Sequence, residues 1–279
     1  MVLVENGNLI PSFYQEFKCL ADNCADTCCC GFSIPLDKPS LDAFHAFSEL
    51  YMQDAVNYLQ NTGDKVWIKF QNGSCPFLLH NLCTIQSVGG EEYLSYICRM
   101  YPRTTVNYGH LVKNSLFLSC ETVATLILGL EHIDEEFECA ERLDETVAKQ
   151  NRFFQRVTAD LICKHRKAAD FAKKLTREMD INDDALIDII RNSHPGSSGL
   201  SGKELHNLVA YYVWHYYNGS NESRVKDICL FMIALADTFT DGCHSTAEKA
   251  AVIHKLSKEI EHSDSNMKRI MGFYQKREE

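Results

Sequence analysis

Thiols dominate the chemistry open to this chain. Nine of its thirteen cysteines fall between Cys19 and Cys120, in two blocks. The first runs Cys19-Leu-Ala-Asp-Asn-Cys24-Ala-Asp-Thr-Cys28-Cys29-Cys30. The second opens with Cys75-Pro-Phe, continues through Cys83 and Cys98, and closes at Cys120. Short separations of this kind let a loop wrap a metal without strain, and four converging thiolates suffice for a 4Fe–4S cluster or a Zn²⁺ ion. The candidate ligands are Cys19, Cys24, Cys28, Cys29, Cys75, Cys83, Cys98 and Cys120. That set exceeds the needs of one site, so some of these residues can be ordinary buried thiols. Adjacent cysteines in a strand or loop point to opposite sides, which argues against Cys28 and Cys29 both ligating one small ion. Cys139, Cys163, Cys229 and Cys243 lie scattered on helical patterns and read as core residues.

Several other chemistries have no signature here. Cys24-x3-Cys28 is followed by Gly31 where a radical S-adenosylmethionine triplet needs its third cysteine. There is no P-loop, no nucleophile elbow and no strand leading into a glycine-rich dinucleotide loop. A formal net charge of −10 leaves no footprint for a nucleic-acid backbone. An acidic surface suits a basic substrate, although solubility accounts for it equally well. The longest apolar stretches, 123–130 and 228–236, fall short of the roughly 20 residues that cross a bilayer. The first residues lack a basic flank and a sustained apolar run, so a cytoplasmic location is expected, where thiols stay reduced and bind metals or catalyse.

The elements that must position these residues are mainly helical. Leu41 to Gln60 has helical spacing and closes at Gly63. Lys65 to Phe70 alternates as a short strand, and Leu111 to Leu118 is its expected hairpin partner. From Leu143 to Leu175 apolar residues recur every three or four positions, the mark of a long amphipathic helix. Helices are also expected over 183–192, 205–217, 228–239, 246–261 and 266–274. Ser193 to Gly202 is rich in Gly and Ser, a connector or a substrate-gating loop. The expected fold is mainly α with a small β-hairpin: a cysteine-rich metal-cluster region over 1–130 packed on a helical body over 131–279.

Four sequence blocks resemble the flagellin lysine N-methylase family, related to the CxxCxxCC-type cysteine-cluster proteins. They are Phe17-Lys-Cys…Cys-Ala-Asp-Thr-Cys-Cys-x-Gly-Phe-x-Ile-Pro-Leu-Asp, Cys75-Pro-Phe-Leu…Leu-Cys-Thr-Ile, Glu92-Tyr-Leu-x3-Cys-Arg-x-Tyr-Pro-Arg and Ser115-Leu-x-Leu-Ser-Cys-Glu. A further stretch, Ser257-Lys-Glu-Ile-Glu-His-Ser-Asp-Ser-Asn266, is similar to the family's C-terminal signature. Cys30 is an extra thiol, and Thr122 stands where a proline often occurs in the family.

The resemblance implies S-adenosylmethionine-dependent methyl transfer to lysine side chains of flagellin, with an iron–sulfur cluster near the site. Such transfer needs a neutral amine, whereas a free lysine has a pKa near ~10.4. A carboxylate or tyrosine must therefore take its proton. Glu121, Glu261 and His262 are the candidate catalytic groups. Arg99, Tyr101 and Arg103 are the candidate cofactor-binding residues, the arginines serving either the cofactor carboxylate or the charge of a thiolate cluster. Rival readings are a zinc- or cluster-binding interaction protein and a redox or metal-carrier protein.

Overall fold

The computed structural model describes residues 3–5, 7–131, 133, 145–194 and 198–278. They fall into two compact units, a smaller one over Lys18–Tyr101 and a larger one from Met1–Phe17 and Pro102–Glu279. The boundary expected at residue 130 lies inside the larger unit.

The chain begins in the larger unit with strands β1 (Leu3–Glu5) and β2 (Asn8–Ile10) and helix α1 (Ser12–Glu16). The smaller unit then contains β3 (Ile34–Leu36), α2 (Lys38–Tyr51), β4 (Leu59–Thr62), β5 (Lys65–Ile68), β6 (Leu78–Leu79), β7 (Leu82–Cys83) and α3 (Tyr96–Met100). Helix α2 starts because the Asp37 carboxylate accepts from the Ser40 N–H at 3.0 Å, with Pro39 in the first turn. It stops at Met52 (φ −152°, ψ 83°), where the Ser48 hydroxyl donates to the carbonyls of Met52 and Gln53. The single helix expected to Gln60 is thus broken: Gln53–Tyr58 is a 3₁₀ turn, and Leu59 onward is strand.

Strand β5 pairs antiparallel with both β3 and β4. The expected pairing with Leu111–Leu118 does not form; that segment joins a sheet of the larger unit. Asn72 and Gly73 make the expected turn, both at positive φ. The core of the smaller unit centres on Phe44, Phe47 and Phe77, the last meeting the other two edge-on at 5.4 and 6.5 Å. Cys75 belongs to this core, and Cys29, Cys83 and Cys98 pack against it.

Back in the larger unit, β8 (Arg103–Tyr108) and β9 (Leu111–Leu116) form a hairpin. Strand β2 runs parallel to β9, giving the order β1-β2-β9-β8. Among the described residues eight helices follow: α4 (Glu121–Gly129), α5 (Glu145–Thr176), α6 (Asp184–Asn192), α7 (Gly202–Tyr216), α8 (Glu222–Phe239), α9 (Thr246–Ile260), α10 (Asp264–Ile270) and α11 (Phe273–Glu278). Helix α5 buries Val147, Phe154, Leu161 and Ala168 along one stripe, as its periodicity requires. The expected first residue of that helix, Leu143, and Cys139 lie outside the described residues. Helix α8 is buried nearly all round, against α5, α7, α9 and α11.

Gly272 at φ 80° divides the helix expected over 266–274 into α10 and α11. In the segment between α6 and α7, Ser198 and Leu200 both donate to Asp237 Oδ1, and the Gly199 N–H donates to the Asp237 carbonyl. Asp237 itself meets His165 Nε2 at 2.9 Å. This part of the segment is a tethered connector. Among the described residues no helix is long and apolar enough to cross a membrane.

Candidate functional site

In the smaller unit the two cysteine blocks meet. The Cys75 N–H donates to the Cys29 carbonyl at 2.8 Å, and Cys30 bridges to Ser74. Asn81, at positive φ between β6 and β7, donates to the carbonyls of Asp22 (2.9 Å) and Cys24 (3.0 Å). Backbone bonds between segments more than forty residues apart therefore hold the first block against the second.

The side chains converge as well. The Cys29 thiol lies close enough to those of Cys28 and Cys83 to be influenced by both. Contact with Cys28, together with burial, pushes Cys29 up to about 12. Burial does the same for Cys75, to about 12, with Cys83, Cys98 and Cys30 adding to it. Nearby Cys29 and then burial raise Cys83 further still, and burial raises Cys98. These thiols are one electrostatic group: Cys28 disfavours the ionisation of Cys29, Cys29 disfavours that of Cys83, and Cys83 in turn eases that of Cys29.

The backbones of Phe77, near Cys75, and of Gln86 and Ile85, near Cys83, pull the other way and favour a negatively charged sulfur. Cys28 and Cys29 occupy the tight turn Thr27–Cys30, closed by the Cys30 N–H on the Thr27 carbonyl. Among the described residues, however, no three or more His, Cys, Asp or Glu side chains stand in an arrangement that could hold a metal ion. The structure shows a gathering of thiols and does not show a metal-cluster region.

The other candidate ligands have separate settings. Exposed Cys19 accepts from the Ala21 N–H at 3.4 Å, and Cys24 donates to the Asp26 carbonyl. Cys120 lies in the larger unit, at the start of α4, packed against that unit's core. Cys30, the extra thiol, is 3.3 Å from the Ser74 hydroxyl. Ser95, which the sequence reading missed, caps α3 by accepting from the Cys98 N–H. Its Ser-x-x-Cys spacing is a legible capping signal.

A second polar group lies within the larger unit. Helix α9 ends at Ile260, Glu261 and His262 turn the chain, and Ser263 caps α10 by accepting from the Asn266 N–H. Asn266 is fully buried and donates to the carbonyls of Asp180 (2.8 Å) and Glu259 (3.0 Å). It also accepts from the Asp180 N–H. That side chain fixes the corner and directs Glu261 inward. The Tyr216 hydroxyl donates to Glu261 Oε2 at 2.5 Å, while Oε1 has no hydrogen-bond partner among the described residues. Burial raises the carboxyl to about 7, against the opposing pull of the Tyr216, Ser257 and Tyr212 hydroxyls. The Ser257 hydroxyl lies near the carboxylate but outside hydrogen-bond geometry.

His262 faces the other way. Its Nε2 is 2.7 Å from the Ser119 hydroxyl, and its ring meets Phe117 edge-on at 4.9 Å. Burial of the imidazole nitrogen, with Lys258 nearby, lowers it to about 4, so it is neutral at physiological pH. Phe117 also contacts His215, which is 2.8 Å from the Ser115 hydroxyl and is held neutral by burial. Ser119 lies two residues before Glu121, so the bond to His262 brings together the two chain regions that supplied the acid–base candidates. Glu121 itself is half-buried in the first turn of α4, where a carboxylate complements the helix dipole.

Arg103 begins β8 with its guanidinium over the rings of Phe17 (5.2 Å) and Tyr14 (5.8 Å). Arg99 and Tyr101 belong to the smaller unit. Arg99 is exposed in the last turn of α3 and helps hold Asp37 below its ordinary value, after Ser40. The Tyr101 ring packs on Phe32 at 5.4 Å.

With this geometry in place, relatives define the class. The chain is 32% identical over 127 residues to the flagellar biosynthetic protein FliU of Salmonella muenchen, covering 43% of this chain and 75% of that protein. The same identity and length relate it to the lysine-N-methylase of Salmonella typhimurium, of which 32% is covered. A lysine-N-methylase of Salmonella choleraesuis gives the same figures. The match thus spans about a third of those longer relatives. No family model and no solved structure matches. The chain belongs to the flagellin lysine N-methylase family.

Proposed function

We propose that this protein transfers methyl groups to lysine ε-amines of flagellin. Its relationship to proteins named for lysine methylation and flagellar biosynthesis carries the reading. The Glu261 corner supports it chemically. S-adenosylmethionine, when bound, supplies an electrophilic methyl on a sulfonium. The remaining work falls to the protein: stripping a proton from the lysine ammonium and aligning its lone pair.

A carboxyl near neutrality with one free oxygen suits proton removal, since a base works best with a pKa near the operating pH. Tyr216 holds the carboxylate in place by its hydrogen bond to Oε2. His262 is a neutral imidazole oriented by Ser119 and Phe117, able to position a donor without adding charge. The neutral lysine nitrogen would take that methyl as the donor's carbon–sulfur bond gives way to a thioether. The amine proton resides on Glu261 before passing to solvent. Arg103 is the residue of this unit that would take the cofactor carboxylate, its stacked guanidinium keeping its N–H fork in plane.

The thiol group fits a soft metal by donor chemistry. Cys75 lies in the core of the smaller unit, and Cys29, Cys83 and Cys98 pack against that core. Among the described residues no such set stands ready-made for a metal, so these four would have to draw together to hold an iron–sulfur cluster, or alternatively Zn²⁺, whose positive charge would relieve the mutual repulsion of the thiolates. Calorimetric titration of the anaerobically purified protein with S-adenosylmethionine tests the reading. Saturable binding is expected, and its absence would remove the methylase proposal.

A further inference from the structure

Among the described residues every large hydrophobic side chain that stands exposed lies between Leu20 and Ile97, all within the smaller unit. Part of this surface is continuous. Leu50, Tyr51 and Met52, at the end of α2, are 66%, 48% and 38% exposed. The Tyr51 ring meets Tyr93 at 5.7 Å. Gly89 closes against the rings of Phe47 and Tyr93, and Val88 beside it is 54% exposed. A face of this kind, left uncovered, marks an interaction surface.

The border of the face is acidic. Glu49 adjoins Leu50, Asp54 follows the end of α2, and Glu91 and Glu92 immediately precede Tyr93; all four are exposed. The Glu92 carboxylate is close enough to Tyr93 to raise its hydroxyl, behind burial and Tyr51. No lysine or arginine occurs in 39–64 or in 70–98. An apolar centre bordered by carboxylates complements apolar side chains interspersed with lysines, and repels an acidic partner.

We propose that this face docks the protein substrate, by a surface on which lysines stand among apolar residues. The proposal rests on the lysine methylation reading and names where its macromolecular substrate binds. It explains why a unit that keeps its own aromatic core leaves Leu50 and Val88 in water. It also predicts that recognition is separable from the acid–base corner of Glu261, which is built from other residues.

The test uses the full chain and monomeric flagellin, comparing wild type with Leu50→Glu, Val88→Glu and the double change Glu91→Lys/Glu92→Lys. Flagellin affinity should fall about tenfold or more in each apolar variant and in the charge reversal, and wild-type affinity should weaken with salt. Transfer to a short lysine peptide should be unchanged, and so should the thermal transition followed by tryptophan fluorescence. Equal affinity in wild type and all variants overturns the proposal, as does a wild type that fails to bind flagellin. A wild-type dimer that the variants convert to monomer overturns it too, by making the face a contact between copies. Patch-dependent binding without any methyl transfer would leave the docking surface standing and remove the methylase reading alone.

Discussion

Replacing Glu261 with glutamine removes a carboxyl whose ionisation burial opposes. Its ordinary value is 4.5, and burial raises it to about 7 in the folded chain. That gap corresponds to about 3 kcal/mol between the two protonation states. The sign follows from proton counting. Between 4.5 and about 7 the folded chain keeps the proton while the unfolded chain has lost it, so stability falls as pH rises through that window. Below 4.5 both states are protonated and the penalty vanishes; above about 7 it is complete.

The amide of Glu261→Gln would retain an acceptor for Tyr216 and carry no charge. The variant should therefore match or fall slightly below wild type at about pH 4.5, and exceed it by up to about 3 kcal/mol at about pH 8. Urea unfolding across that range measures this, in a Trp67→Phe background so that Trp214 reports the larger unit alone. Methyl transfer should meanwhile fall by about 10²-fold or more, the usual share of a general base. Parallel stability curves for wild type and variant would refute the account of Glu261.

Lys113→Met should destabilise the larger unit by about 2–5 kcal/mol in the same unfolding assay. The fully buried ammonium donates to Gln150 Oε1 (2.8 Å) and to the carbonyls of Trp214 and Tyr217 (2.6 Å each), and the change strands all three acceptors. Three pure acceptors match the three N–H donors of the charged form, although burial alone lowers this lysine well below its ordinary value. Gly199→Ala should also destabilise, by about 1–3 kcal/mol, because a Cβ there would lie 2.2 Å from the Thr240 backbone. Cys75→Ser and Cys83→Ser should each lower the iron or zinc content of purified protein, measured by elemental analysis, while Cys163→Ser on the exposed side of α5 should not.

Much of this was legible from residue type and spacing. The stripe Val147, Phe154, Leu161, Ala168 reads directly as one long helix, because its 3.6-residue period holds along the whole element. The approach of Cys29 to Cys75 was legible from thiol chemistry, and family likeness drew attention to Glu261 and His262, while the corner that Asn266 builds around them carried no local signal. The partner of a strand was not. Alternation identifies Leu111–Leu116 as extended without saying that Arg103–Tyr108 lies beside it.

Polarity also misleads on this strand, since its buried face carries Leu111, Lys113 and Ser115 while Val112 is only half-buried. Lys113 sits inside because the end of α7 supplies carbonyls, a feature of packing that no local pattern records. The break at Met52 depends on how Ser48 closes the helix end, again a matter of geometry rather than composition.

Incubation of the anaerobically purified protein with flagellin and methyl-labelled S-adenosylmethionine, followed by mass analysis of flagellin peptides, bears most directly on the central claim. The account predicts label on lysine ε-amines, abolished by Glu261→Gln and diminished by Leu50→Glu. Flagellin recovered without label, from protein shown to bind S-adenosylmethionine, would contradict it.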